Sequence, residues 1–179
     1  MPEPQPANDS LVFIDPQSGL DIRPLPASRD PEAAAILAAA TGAGTPGAAQ
    51  VKLDEARTGG NDRVLGASMD GELVGAYTLV RDGMANQLGI IAVRQDHRRR
   101  GIGRALLQDA LRRSGRRPLT AETDEEGLPF YKACGFKMVG RRKQPDESFR
   151  YRIGYHAPGL RFKGGSSGAL NHQGVKPDS

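Results

Sequence analysis

The chain has 179 residues, enough for one domain with an adequate core plus tails. Its formal charge is +4, and 37% hydrophobic residues beside 23 Gly and 13 Pro predict that part of the length stays unfolded. No apolar run approaches the ~18 residues of a membrane span, one cysteine (Cys134) excludes an internal disulfide, and Met-Pro-Glu-Pro-Gln-Pro at the start has neither the basic nor the apolar region of a signal peptide. The simplest placement is cytoplasmic.

Residues 1–19, rich in Pro, Asp, Ser and Gln, read as a flexible arm in which Leu11–Ile14 can pair weakly with the body. Leu20–Leu25 alternates apolar and polar residues and ends in prolines, the pattern of an edge strand. Ser28-Arg-Asp-Pro-Glu opens a helix, with Pro31 in its first turn, that runs through alanines to Ala40. After a flexible break at 43–47, a second short helix is predicted over Ala48–Arg57.

Three strands follow. Arg63–Met69 and Glu72–Val80 flank Asp70-Gly71, and Asp82-Gly83 leads into Met84–Val93, so an antiparallel meander is expected. In the helix after Gly101, residues Ile102, Ala105, Leu106 and Ala110 form one apolar stripe, while Arg104, Gln108, Asp109, Arg112 and Arg113 fall mostly on the other face. Pro118–Thr123 is the next strand, reached by a right-handed crossover and parallel to 88–93. Asp124-Glu125-Glu126 offers an N-cap and acidic first turn to a helix ending at Gly135, with Pro129 shifting or kinking its start. Phe136–Arg142 and Phe149–Tyr155 form a last hairpin, and 157–179 reads as a disordered tail.

The chemistry concentrates in Leu88–Arg104: a buried strand, a polar turn, three arginines, Gly-Ile-Gly and a helix N-terminus. The first amides of a helix have no intrahelical acceptor and favour an anion. Gly101 and Gly103, lacking a Cβ, let a phosphate approach the backbone. Eight arginines against one acid between His97 and Arg117 attract a polyanion. The patch has no interleaved aromatic residue, which disfavours nucleic acid. A dinucleotide fingerprint fails because Leu106 stands at the third glycine, and a P-loop fails because no Gly-Lys-Ser/Thr follows.

Arg98-x-x-Gly101-x-Gly103 resembles the Arg/Gln-x-x-Gly-x-Gly/Ala signature of the GNAT acyltransferase superfamily. Asp124-x5-Phe130-Tyr131-x3-Gly135-Phe136 resembles that family's second segment, with Asp in place of the more usual Asn. The resemblance covers residues 20–156. It implies an α/β (α+β) GNAT fold: a mixed sheet of about seven strands with an antiparallel meander, a splayed parallel pair and flanking helices.

The resemblance also implies acetyl-CoA as co-substrate, no metal, and transfer to a primary amine of a small molecule or protein. Backbone groups of Ile91, Ala92 and Val93 would bond the pantetheine arm, with Ala92 or Val93 as oxyanion donor. Amides from Arg98 through Arg99, Arg100, Gly101, Ile102 and Gly103 to Arg104 would cradle the pyrophosphate, with at least one arginine left in solvent. Asp124 and Phe130 flank the cofactor, and Tyr131 takes the place of the general acid to the leaving thiolate. The general base stays open between Glu122, Asp124 and water, and His97 and Cys134 read as structural. Asp54, Glu55 and Asp146 are candidates to attract a cationic acceptor. A non-catalytic acyl-CoA-binding module is the competing reading. Oligomeric state is open.

Overall fold

The computed structural model describes residues 13–15 and 19–156. The rest of the expected N-terminal arm and the expected tail at 157–179 lie outside the described residues. Eight strands form one sheet: β1 (Phe13–Asp15), β2 (Leu20–Pro24), β3 (Val64–Met69), β4 (Glu72–Asp82), β5 (Ala85–Val93), β6 (Leu119–Thr123), β7 (Lys137–Lys143) and β8 (Phe149–Tyr155). Their spatial order is β1-β2-β3-β4-β5-β6-β8-β7, and every neighbouring pair is antiparallel except β5–β6. The helices are α1 (Asp30–Leu37), α2 (Pro46–Arg57), α3 (Ile102–Ser114) and α4 (Leu128–Ala133).

Both faces of the sheet are covered. Side chains alternate across a strand, so sequence neighbours in the meander enter opposite layers. Leu65, Val74 and Tyr77 join the layer under α3 and α4. Val64, Leu73 and Ala76 join the layer under α1 and α2. This is why β3 and β4 read as nearly continuous apolar runs.

Several boundaries differ from the sequence reading, each for a local reason. α2 begins at Pro46, two residues early, because Thr45 caps it by accepting from the Ala48 amide at 3.2 Å. β2 is not an outermost strand: β1 pairs with Leu20–Ile22, while Pro24 lies beyond β1, where its missing N–H costs nothing on that side. α4 begins only at Leu128, with Pro129 in its first turn, so Asp124, Glu125 and Glu126 form a turn before it and not its acidic first turn.

The largest correction concerns Asp109. Placed by spacing on the outer face of α3, it is 1% exposed. Tyr77 donates its hydroxyl hydrogen to Asp109 Oδ2 at 2.7 Å, Arg113 Nε donates to the same oxygen at 2.8 Å, and Arg112 pairs with Oδ1. A second buried pair joins the first two helices: Arg57 grips both oxygens of Asp30 and also donates to the Leu25 carbonyl at 2.9 Å. Among the described residues no helix is long and apolar enough to cross a membrane.

Candidate functional site

The parallel pair β5–β6 is short. Register runs only through Asn86–Leu119, Gln87–Thr120 and Leu88–Ala121. Beyond Leu88 the two strands part, and a groove of about 620 Å³ opens between them.

A β-bulge in β5 aims the backbone into this gap. Tyr77 faces Ile91 but Leu79 faces Leu88, so Gly89 and Ile90 together oppose Thr78. Thr78 Oγ1 accepts from the Ile90 amide at 3.2 Å and occupies the bulge. A Cβ at position 89 would lie 2.6 Å from that oxygen, which explains the glycine.

Past the bulge, Ala92 pairs with Ala76, and in the same register the Arg94 amide donates to Val74 at 2.8 Å. Backbone direction alternates along a strand, so the amides of Ile91 and Val93 point the other way, into the gap. Ala92, expected to offer its backbone as well, has it turned towards β4, so of Ala92 and Val93 only Val93 directs its amide into the gap. The Val93 carbonyl is already engaged by Arg98 Nε at 3.2 Å.

The loop after β5 reaches α3 through two left-handed residues, Arg99 at φ 62° and Gly101 at φ 80°. A Cβ at Gly101 would meet nothing within 4 Å, so glycine serves the turn and not the space. Gly103 lies against Phe130 and Val93: a Cβ there would sit 3.6 Å from the Phe130 ring. The first intrahelical bond is Ala105 to the Gly101 carbonyl, so the amides of Ile102, Gly103 and Arg104 precede the ladder and face outward. Arg98's amide is used by the preceding turn, donating to Gln95 at 3.4 Å, and drops out of the expected cradle. Arg98, Arg99 and Arg104 line the groove; Arg100 does not and is exposed.

Tyr131 closes the β6 side. It is 6% exposed, wedged edge-on between Phe130 and Phe136 at centroid distances of 5.2 and 5.5 Å. Burial pushes its phenol up to about 12. Its hydroxyl has no hydrogen-bond partner among the described residues. Asp124 Oδ1 accepts from the Gly127 amide at 2.8 Å and so caps the turn before α4. Glu122 also lines the groove, but its side chain is 41% exposed and lies 3.8 Å from Arg142. Cys134 is half-buried and its thiol is pushed up by burial, the opposite of an activated nucleophile.

Sequence reasoning missed Arg150, which reaches the groove beside Tyr131, and Ala39 and Ala40, which form a wall where α1 gives way to α2. His97 also lines the groove, with Nδ1 held 2.9 Å from Asp96 Oδ1. Nothing in a single sequence fixes which residue of β8 faces β6, so Arg150 carried no signal. The acids expected to attract an acceptor lie off the groove. Asp54 accepts from Gln50, Glu55 pairs with Lys52, and Asp146 accepts from Ser148.

Residues 41–149 match the acetyltransferase (GNAT) domain family. The chain belongs to the GNAT acetyltransferase family. The antiparallel meander, the single parallel pair and its opening are the architecture that the resemblance implied, with β1 as an added outer strand; the bulge in β5 was not foreseen. No curated protein matches the sequence.

Solved structures share the GNAT fold at low identity. The ribosomal-protein-S18-alanine N-acetyltransferase from Escherichia coli aligns at 21% identity and TM-score 0.62, over 80% of this chain and 99% of that one. An aminoglycoside 6'-N-acetyltransferase complexed with coenzyme A aligns at 15% identity and TM-score 0.64, over 75% and 96%. A longer acetyltransferase-type protein from Pyrococcus horikoshii aligns at 20% identity and TM-score 0.62, and there the chain covers 75% of itself but only 47% of that protein.

Proposed function

We propose that this GNAT protein moves an acetyl group from acetyl-CoA directly to a primary amine, with Tyr131 as the general acid. The observation that carries the reading is the opening between β5 and β6. Outward amides of Ile91 and Val93 stand on one side of it and the buried Tyr131 on the other. The pantetheine arm, an amide-bearing chain, adds to the β5 edge as a strand would. The amides of Ile102, Gly103 and Arg104 and the guanidinium groups of Arg99 and Arg104 take the pyrophosphate.

A neutral amine attacks the thioester carbonyl, and negative charge develops on its oxygen, stabilised by the Val93 amide. Collapse of the tetrahedral intermediate breaks the C–S bond, and the sulfur takes the Tyr131 proton. The proton lost by the amine leaves through water or through Glu122, the solvated carboxylate on the groove. Asp124 is the lesser candidate because its carboxylate is committed to the Gly127 amide. The acceptor enters between Ala39–Ala40 and Arg150. The alanine and the aminoglycoside in the names of two structural relatives are those proteins' acceptors, and they suggest testing peptide N-termini and amino sugars first.

The test is free-thiol release with acetyl-CoA against a panel of amines, followed by a pH profile with the best acceptor. Because burial raises the Tyr131 phenol to about 12, the acid stays protonated across the working range. The expected rate rises with pH as the amine deprotonates and holds its plateau to about pH 10. Tight CoA binding with no thiol released from any amine would favour a non-catalytic acyl-CoA-binding module. An alkaline fall centred near about pH 8 would remove Tyr131 as the acid.

A further inference from the structure

A second pocket, of about 250 Å³, lies at the opposite end of β5, under the C-terminal end of α3. Four arginines line it: Arg63 at the entry to β3, Arg81 on β4, Arg113 in the last turn of α3 and Arg117 before β6. Arg81 faces Asn86 across the β4–β5 ladder, so their side chains leave the same side of the sheet.

The acids do not balance these cations. Asp109 is already held by Arg112 and Arg113. Asp62 is 72% exposed and approaches Arg63 no closer than 4.0 Å. Arg81 has no ion-pair partner among the described residues. Arg117 makes one long bond, 3.4 Å to the Met84 carbonyl.

Asn86 is 3% exposed, and its Oδ1 accepts from Arg63 at 3.4 Å. Arginine only donates, so the amide oxygen must face it and the NH2 group is left to the pocket, where no described residue accepts from it. Arg63 Nε is likewise buried without an acceptor. Four guanidinium groups and an amide NH2 converge here against one carboxylate, the exposed Asp62, so donors outnumber acceptors, which is the composition of an anion site. The exposed α3 carbonyls do not oppose it strongly, since the amides of Gly115 and Arg117 cap those of Arg112 and Ser114.

We propose that this pocket binds a phosphate-class dianion, free or as the monoester of a small molecule, on Arg81, Arg117, Arg63 and the Asn86 amide. Planar guanidinium forks match tetrahedral oxyanions, and the volume admits a phosphate with a short substituent at most. The site is separate from the pyrophosphate loop, with which it shares no lining residue.

The test is thermal unfolding of the full chain in inorganic phosphate against chloride at equal ionic strength. It compares wild type, the pocket variant Arg81→Gln/Arg117→Gln, and the groove variant Arg99→Gln/Arg104→Gln. At about 10 mM phosphate a millimolar site raises Tm by ~3 °C. That rise is expected in wild type and the groove variant and is lost in the pocket variant, whose replaced side chains are both exposed. The single charge reversal Arg81→Glu should abolish it as well. Glycerol 3-phosphate in place of phosphate then tells a free ion from a monoester by which gives the larger shift. No rise in wild type, an equal rise in the pocket variant, or a rise lost only in the groove variant would overturn the proposal. The groove comparison keeps this outcome distinct from failure of the acetyl-transfer reading.

Discussion

Replacing Tyr131 with Phe should lower kcat by ~100-fold, within the range for loss of a positioned general acid, while CoA affinity changes by less than about 3-fold. The substitution deletes one oxygen and keeps the ring. The edge-on contacts with Phe130 and Phe136, and with them the wall of the groove, survive. Nor does it orphan a buried partner, since the hydroxyl bonds to none of the described residues. Thermal stability should therefore hold to within about 0.5 kcal/mol, the range of substitutions that break no buried feature. What disappears is the proton for the departing thiolate. Steady-state kinetics beside calorimetric titration with CoA separate the two effects. An unchanged kcat would strip Tyr131 of its role, and a proportional loss of CoA binding would make it a packing residue.

Asp109→Ala should cost ~3–5 kcal/mol, as removing one member of a buried ion pair does, and lower Tm by about 10 °C or more. The carboxylate side chain is wholly buried. Its loss takes away the acceptor of the Tyr77 hydroxyl, which is itself buried, and the carboxylate that Arg113 grips from within the same helix. Burial already holds the Tyr77 phenol far above its ordinary range, so it cannot relieve the site by ionising. Tyr77→Phe removes a single hydrogen bond to a charged acceptor and should cost less, about 1.5–3 kcal/mol. Because the two side chains touch, the double variant should cost less than the sum of the singles. Denaturant unfolding measures all three. A cost below about 1 kcal/mol for Asp109→Ala would mean the pair behaves as an exposed helix pair at i,i+4 spacing, on the outer face where the sequence reading placed most of these residues.

That contrast shows where one sequence stops being informative. Local rules worked where chain neighbours decide the outcome. Asp70-Gly71 and Asp82-Gly83 did form the tight turns of the meander, with positive φ at Asp70, Gly71 and Gly83. The Gly101 turn and the start of α3 followed from the same kind of signal. The limits of α4 did not, because Pro129 and the Asp124 turn compete for the same few residues.

Distance in sequence defeats the reading more thoroughly. Arg112 and Arg113 beside Asp109 look like surface charge until Tyr77, 32 residues earlier, is seen to reach the same carboxylate. The opening of β5–β6 depends on a parallel register only three pairs long, which neither strand encodes alone. Arg150 enters the groove, and Arg63, Arg81 and Arg117 meet at the far end of β5, only because four separate strand registers bring them there. In the Ile91–Val93 segment the bulge at Gly89–Ile90 sets which amides point outward, so a contiguous apolar run could not reveal that Ala92 faces inward.

The most direct measurement is the amide proton spectrum of the 15N-labelled chain as CoA is added. A donor lying along the open β5 edge and on the α3 N-terminus should shift the amides of Ile91, Val93, Ile102, Gly103 and Arg104 most. Ala92, bonded across to β4, should move least of its neighbours. Saturable shifts in that alternating pattern are what the account predicts. Shifts confined to other surfaces, or Ala92 responding as strongly as Ile91 and Val93, would contradict it.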